Sequence, residues 1–239
     1  MIFQCDKRAK PATRHFLTGA RHLPSNRRHF TLIEMLVVIG IAGLLFALIG
    51  PAFNRMTRGN AVESHASGLK LGMERASSLA AASRRYVALL LPNGITDTSK
   101  DAYKYQRGGY RLAYVTLNDS GAYTFDGWLP DSEWQNRGGD AYLYSVSRAS
   151  SISKPSKKIT EDDYKTAITV DPSNVLYDVS LPNGGGPGKA VVFSPFGDAR
   201  TPSAEVELIF LIAGVNTSET DYVTIRLNTL SGKVEFVDL

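Results

Sequence analysis

Hydrophobic and polar positions along this chain fall into three regimes. Residues 1–29 are polar, basic and rich in His, Pro and Arg, show no apolar period, and are expected to be disordered. From Phe30 to Phe53 the sequence FTLIEMLVVIGIAGLLFALIGPAF is apolar almost throughout, and from Met35 onward it carries no charged side chain. That is about the length a helix needs to cross a bilayer core. Beyond it Val62, Ala66, Leu69, Met73, Ala76 and Ala80 recur at spacings of three and four, one apolar stripe on an otherwise polar helix. The stripe is built largely from small residues, so something must pack closely against it. Residues 31–83 therefore predict one long helix, roughly 80 Å if straight. It should break or bend near Gly50-Pro51, where the proline removes a hydrogen bond and crowds the preceding turn.

From Arg84 the period becomes that of strands. Tyr86–Leu91 ends at Pro92-Asn93-Gly94, a turn signal. Further strands are expected at Tyr110–Leu117, Ala122–Trp128, Ala141–Val146, Ala190–Ser194, Val206–Ile212, Tyr222–Asn228 and Lys233–Val237. Thr229-Leu230-Ser231-Gly232 between the last two suits a β-hairpin. No helical pattern of useful length occurs beyond residue 83. The expected fold class is α+β: a long N-terminal helix whose second half packs on a mostly antiparallel sheet.

Charge changes the picture. The chain carries +4 overall, but Lys7, Arg8, Lys10, Arg14, Arg21, Arg27 and Arg28 face only Asp6 before residue 30. The remainder has 20 basic and 22 acidic residues and nets −2. A basic isoelectric point thus gives no reason to expect a nucleic-acid partner. The same asymmetry holds the N-terminus in the cytoplasm and sends the C-terminal remainder of the chain across the membrane. Within the apolar run a single carboxylate, Glu34, stands close to the hydrocarbon, at a cost of roughly 2.5–3.5 kcal/mol at the centre of a bilayer. Cys5 is the only cysteine and can form no internal disulfide.

Phe30-Thr31-Leu32-Ile33-Glu34 followed by Met35-Leu36-Val37-Val38-Ile39 resembles the N-terminal signature of type IV pilins and type II secretion pseudopilins. The order of elements is most similar to the H-type minor pseudopilins and related minor pilins. The likeness is strong over roughly 29–92, weaker over 189–239, and absent from about 93 to 188, which reads as a variable insertion. It implies that a prepilin peptidase cuts between His29 and Phe30 and methylates the new amino group of Phe30. It also implies that Glu34 serves assembly and that Pro51 kinks the helix. His29 stands where the family almost always has Gly. The chain then divides into a leader (1–29), a transmembrane and assembly segment (30–53), an amphipathic second half of the helix (54–83) and a periplasmic β-rich domain (84–239).

No other constellation carries chemistry. Asn183-Gly184-Gly185-Gly186-Pro187-Gly188-Lys189-Ala190 fails as a phosphate loop, since Asn183 and Ala190 replace the required Gly and Ser/Thr and a strand comes next. His15, His22 and His29 lie in the leader, which leaves His65 alone on the helix as a surface or packing residue. Glu161-Asp162-Asp163 and the pair Glu219 and Asp221 lack the spacing of a cation loop and read as exposed acidic loops. Arg84 and Arg85 suit the negative end of the helix. Trp128, Trp134 and the tyrosines at 103, 105, 110, 114, 123, 142 and 144 fill a core or form a recognition surface. No cofactor, metal or catalytic residue is expected.

The implied protein is a minor pseudopilin, a non-enzymatic structural subunit of a type II secretion pseudopilus. The alternatives are a minor type IV pilin serving pilus assembly or DNA uptake and, more distantly, a membrane-anchored periplasmic enzyme. Expected partners are the prepilin peptidase, other pilin or pseudopilin subunits, the inner-membrane assembly platform and inner-membrane lipid.

Overall fold

A computed structural model describes residues 31–95, 99, 102, 105–106, 108–135, 141–148, 169–170, 175–182, 186–214 and 222–237, without the side chains of 48–59, 169–170 and 187. Helix α1 spans Leu32–Ser83. It continues through Gly50-Pro51, so of the two expectations for that point the break is not found. The chain divides into two compact units between Ala47 and Leu48.

In the second unit α1 is followed by β1 (Tyr86–Pro92), β2 (Arg111–Leu117), β3 (Tyr123–Trp128), β4 (Ala141–Arg148), β5 (Thr169–Val170) and β6 (Tyr177–Ser180). Then come β7 (Pro187–Phe193), β8 (Ala199–Arg200), β9 (Glu207–Gly214), β10 (Tyr222–Asn228) and β11 (Val234–Val237). One sheet has the order β3-β2-β1-β7-β6, with β8 paired to β7; the other runs β11-β10-β9-β4-β5. Every pairing is antiparallel except the short β4–β5 pair. The fold class is α+β, a long helix packed on antiparallel sheets.

All eight expected strands are present within a few residues of their expected ends. Strands β5, β6 and β8 carry no sequence signal, because two to four residues are too few to show a period; β11 is as short as β6, but the turn residues Thr229-Leu230-Ser231-Gly232 ahead of it mark it as a hairpin arm. Residues 93–188 supply β2 to β6, so they are woven into both sheets.

The six stripe residues of α1, from Val62 to Ala80, are all buried. They join one face of each sheet in a single core: Val87, Leu89 and Leu91 from β1, Val191 and Phe193 from β7, Leu208, Phe210 and Ile212 from β9. What the small residues accommodate is also visible. Tyr110 lays its ring over Gly72, where a Cβ would fall 2.5 Å from a ring carbon. Its hydroxyl donates to the Gly68 carbonyl at 2.7 Å.

Strand β1 is buried on both faces, which explains why its sequence is a continuous apolar run instead of an alternation. Its other face, Ala88 and Leu90, meets Ala113, Val115, Tyr123, Val179, Ala190 and Val192 in a second core. The edge strands β3 and β6 draw together over it, with the Tyr123 and Tyr177 rings 4.7 Å apart edge to face.

Helix α1 ends at Ser83, and Arg84 takes the left-handed conformation (φ 55°) that terminates many helices. Arg85 does not cap the helix. It pairs with Asp126 and lies 4.0 Å over the Tyr114 ring. Of the nine aromatics named from the sequence, Tyr110, Tyr123 and Tyr142 are buried; Tyr105, Tyr114, Tyr144, Trp128 and Trp134 are half-buried, the two tryptophans edge to face at 5.7 Å; Tyr103 lies outside the described residues.

Candidate functional site

The site indicated by sequence is the head of α1. Thr31 is its N-cap, and Glu34 is the third helical residue. The Thr31 N–H donates to Glu34 Oε2 at 2.8 Å, the Thr31 hydroxyl donates to the same oxygen at 3.0 Å, and the Glu34 N–H donates to Thr31 Oγ1 at 3.3 Å. This reciprocal arrangement is a capping box, T-x-x-E, in which two otherwise unpaired backbone donors are satisfied. A carboxylate there also faces the positive end of the helix dipole. The sequence pattern Thr31-Leu32-Ile33-Glu34 ahead of an apolar run is itself the signal of such a cap.

Below the cap the helix is apolar on every side and uncovered. Exposure is 84% at Leu32 and 75% at Phe46, and Ile33, Met35, Leu36, Ile39, Leu44 and Leu45 are exposed as well. A helix that is apolar all round is stable only when buried in lipid or among other helices. Glu34 is the one charged side chain between Thr31 and Ala47. Among the described residues, no helix is long and apolar enough to cross a membrane. The apolar run of the sequence extends past Ala47 into 48–53, whose side chains are not among those described. His29 and Phe30 lie outside the described residues, as does the side chain of Pro51.

The remaining candidates do not form a second site. His65 is 3% exposed, and neither ring nitrogen has a hydrogen-bond partner. It packs under Gly108, where a Cβ would sit 2.5 Å from the imidazole. Burial pushes its pKa down from 6.5 to about 4, so it is a neutral packing residue at pH 7. Glu161-Asp162-Asp163, Glu219, Asp221, Tyr103 and residues 183–185 fall outside the described residues. Gly188, Lys189 and Ala190 lie in β7, where a phosphate loop would require a helix. Among the described residues no group of three or more His, Cys, Asp or Glu side chains is placed to hold a metal ion.

Comparison with known proteins bears on the same segment. Residues 26–50 match the family model of the prokaryotic N-terminal methylation motif. Among solved structures the chain is similar to the type IV minor pilin FimU of Pseudomonas aeruginosa (strain PAO1), at 14% identity over 77% of this chain and 92% of that one. The TM-score of 0.41 is too low for that likeness to carry an argument. No curated protein matches the chain. The chain thus carries the prokaryotic N-terminal methylation motif, over the same residues on which its resemblance to type IV pilins and pseudopilins rests.

Proposed function

We propose that this chain is a minor pseudopilin: a non-enzymatic, single-pass subunit of a type II secretion pseudopilus that serves protein export across the outer membrane. One observation carries the reading. The methylation motif coincides with the capped head of α1, which from Leu32 to Ala47 is apolar and uncovered and whose single charge is Glu34. Such a helix is built to live first in lipid and then among copies of itself. In this reading residues 30–53 anchor the chain in the inner membrane, with the N-terminus cytoplasmic and the β-rich domain periplasmic. Pro51 bends the helix where the anchor gives way to the amphipathic half.

A prepilin peptidase cuts between His29 and Phe30 and methylates the Phe30 amine. N-terminal mass spectrometry of the membrane fraction, after co-expression with the peptidase, should show a methylated Phe30 start. Recovery of only the leader-bearing chain would rule this processing out.

Glu34 then acts as an assembly latch. Its carboxylate pairs with the Phe30 amine of a neighbouring subunit, and each charge alone would be costly in a low-dielectric bundle. Glu34→Ala should leave membrane insertion intact, since it removes a group costing roughly 2.5–3.5 kcal/mol near the bilayer centre and less near its edge. It should abolish incorporation, because the unpaired amine costs about 3–5 kcal/mol. Fractionation, then crosslinking to the major subunit, separates the two steps. A Glu34→Ala protein that crosslinks at wild-type levels would show that the carboxylate is no latch.

A further inference from the structure

Away from the helix head, α1 and the start of β2 enclose a cleft of about 260 Å³. Its walls are Leu71, Gly72 and Arg75 of the helix, Tyr110 and Arg111, and Glu133 from the connection between β3 and β4. The floor is apolar, formed where the Tyr110 ring lies over Gly72. The rim carries two guanidinium groups in different states. Arg111 is committed: its Nε donates to the Ser132 carbonyl at 2.8 Å, its plane lies 3.9 Å over the Trp128 ring, and Glu133 faces it electrostatically. Arg75 is exposed and makes no ion pair with any described residue. Beside it Leu71 is 56% exposed, an apolar side chain on a helix face that is otherwise polar at this level.

We propose that this cleft is a docking site for a neighbouring filament subunit. Its occupant is a segment that sets a carboxylate on Arg75 and an apolar side chain on Leu71. The charge balance selects the sign: two cations against one anion leave the rim at +1, and the surplus sits on Arg75. Elsewhere on the described surface, Lys70, Arg85, Arg148, Lys189, Arg200, Arg226 and Lys233 each have a carboxylate partner. Among the described residues Arg75 and Arg84 both depart from that habit, and of the two only Arg75 lines a concave place with an apolar floor. An arginine beside an apolar anchor is the chemistry of a protein interface. With Tyr110 packed on Gly72 and Arg111 held by Ser132 and Trp128, docking has chiefly the Arg75 and Leu71 side chains to order on this side. The inference rests on the filament reading above and extends it from the membrane helix to the folded domain.

The test uses the full-length chain expressed with its own assembly system. A photo-crosslinking amino acid replaces Leu71 in one variant and Ile39, within the apolar helix, in another. Both should give adducts with another subunit. Arg75→Glu should lower the Leu71 adduct by about tenfold or more while the Ile39 adduct persists. Mass spectrometry of the adduct should place an acidic residue at the contact, and its reversal to Lys should restore crosslinking in the Arg75→Glu background. A Leu71 adduct unchanged by Arg75→Glu, or absent while the Ile39 adduct forms, overturns the docking site and leaves the filament reading standing. No adduct at either position overturns both.

Discussion

At residue scale, His65 is where sequence and structure diverge most usefully. A single histidine on a helix reads as ordinary, yet it is buried beneath Gly108 with both ring nitrogens unpartnered. Nothing in its sequence neighbours signals this, because burial depends on a loop more than forty residues away in the chain. The position has a consequence for stability. Burial penalises the charged imidazolium, so the folded state takes up the proton only near pH 4, whereas the unfolded chain takes it up at 6.5. Between those values the unfolded state binds more protons, and acid favours unfolding. His65 should therefore cost no stability above pH 6.5 and up to about 3 kcal/mol by pH 4. Denaturant titrations of wild type and His65→Leu from pH 7.5 to 4 check this. The free-energy difference should shift in favour of the leucine variant as pH falls; parallel profiles would mean that the histidine is solvated.

At the scale of elements, the junction that closes the fold is made by two turns. Gly197 comes after Phe196 in the turn between β7 and β8, and Gly232 ends the β10–β11 hairpin. A Cβ on Gly232 would lie 2.1 Å from the Gly197 carbonyl oxygen and 3.0 Å from the Ser77 hydroxyl oxygen. Ser77, on α1, donates to that same carbonyl at 2.8 Å. Gly232 also has φ +67°, as the hairpin turn requires. Gly121 offers an internal control, with φ +80° and nothing within 4 Å of a built Cβ. Gly121→Ala should cost about 1 kcal/mol, the conformational strain alone. Gly232→Ala should cost that and a further 1–3 kcal/mol or so for the forced displacement of packed backbone. Chemical denaturation of the two variants measures the difference, and equal losses would remove the steric argument. The hairpin itself, with its four-residue β11, was legible from Thr229-Leu230-Ser231-Gly232, and the helix stripe and the seven strands of six to eight residues were legible because their apolar patterning persists over a stretch of that length. The division into two sheets was not legible. That depends on which strands pair across long gaps, such as β1 with β7 and β4 with β9, and the pairing is written in shape and register instead of local pattern. Nor were Gly68 and Gly72 legible as the seat of Tyr110, since a glycine on a helix announces only a cost until its partner is known.

At the scale of the whole molecule, charge is segregated along the chain, and the segregation decides what the protein can bind. Residues 1–29 hold seven bases against one acid, while residues 30–239 net −2. Within the folded domain the bases are further neutralised in place. Arg226 lies 3.0 Å from Glu235 and 3.7 Å from Glu207, and Lys233 also pairs with Glu235. Hydrogen bonds from Lys233 and Arg226 hold the Glu235 carboxyl below its ordinary pKa, so Glu235 is ionised through the neutral range. Lys189 meets Asp178 at 2.6 Å, and Arg148 meets Glu205 at 3.1 Å. Non-specific DNA affinity comes from cations free to displace counterions from phosphates, and paired bases on a net-negative surface supply few. Protein beginning at Phe30 should therefore give no salt-sensitive gel shift at low micromolar concentration. The leader-bearing chain should bind, with a logarithmic salt slope of up to about −6 if all seven leader bases engage phosphates. Comparing the two forms across a salt series separates leader from domain. Equal, salt-sensitive retardation of both would place the binding in the folded domain and favour the DNA-uptake pilin over the pseudopilin. Retardation of the form that includes residues 1–29 alone would show that the cations free to engage phosphate lie in that segment.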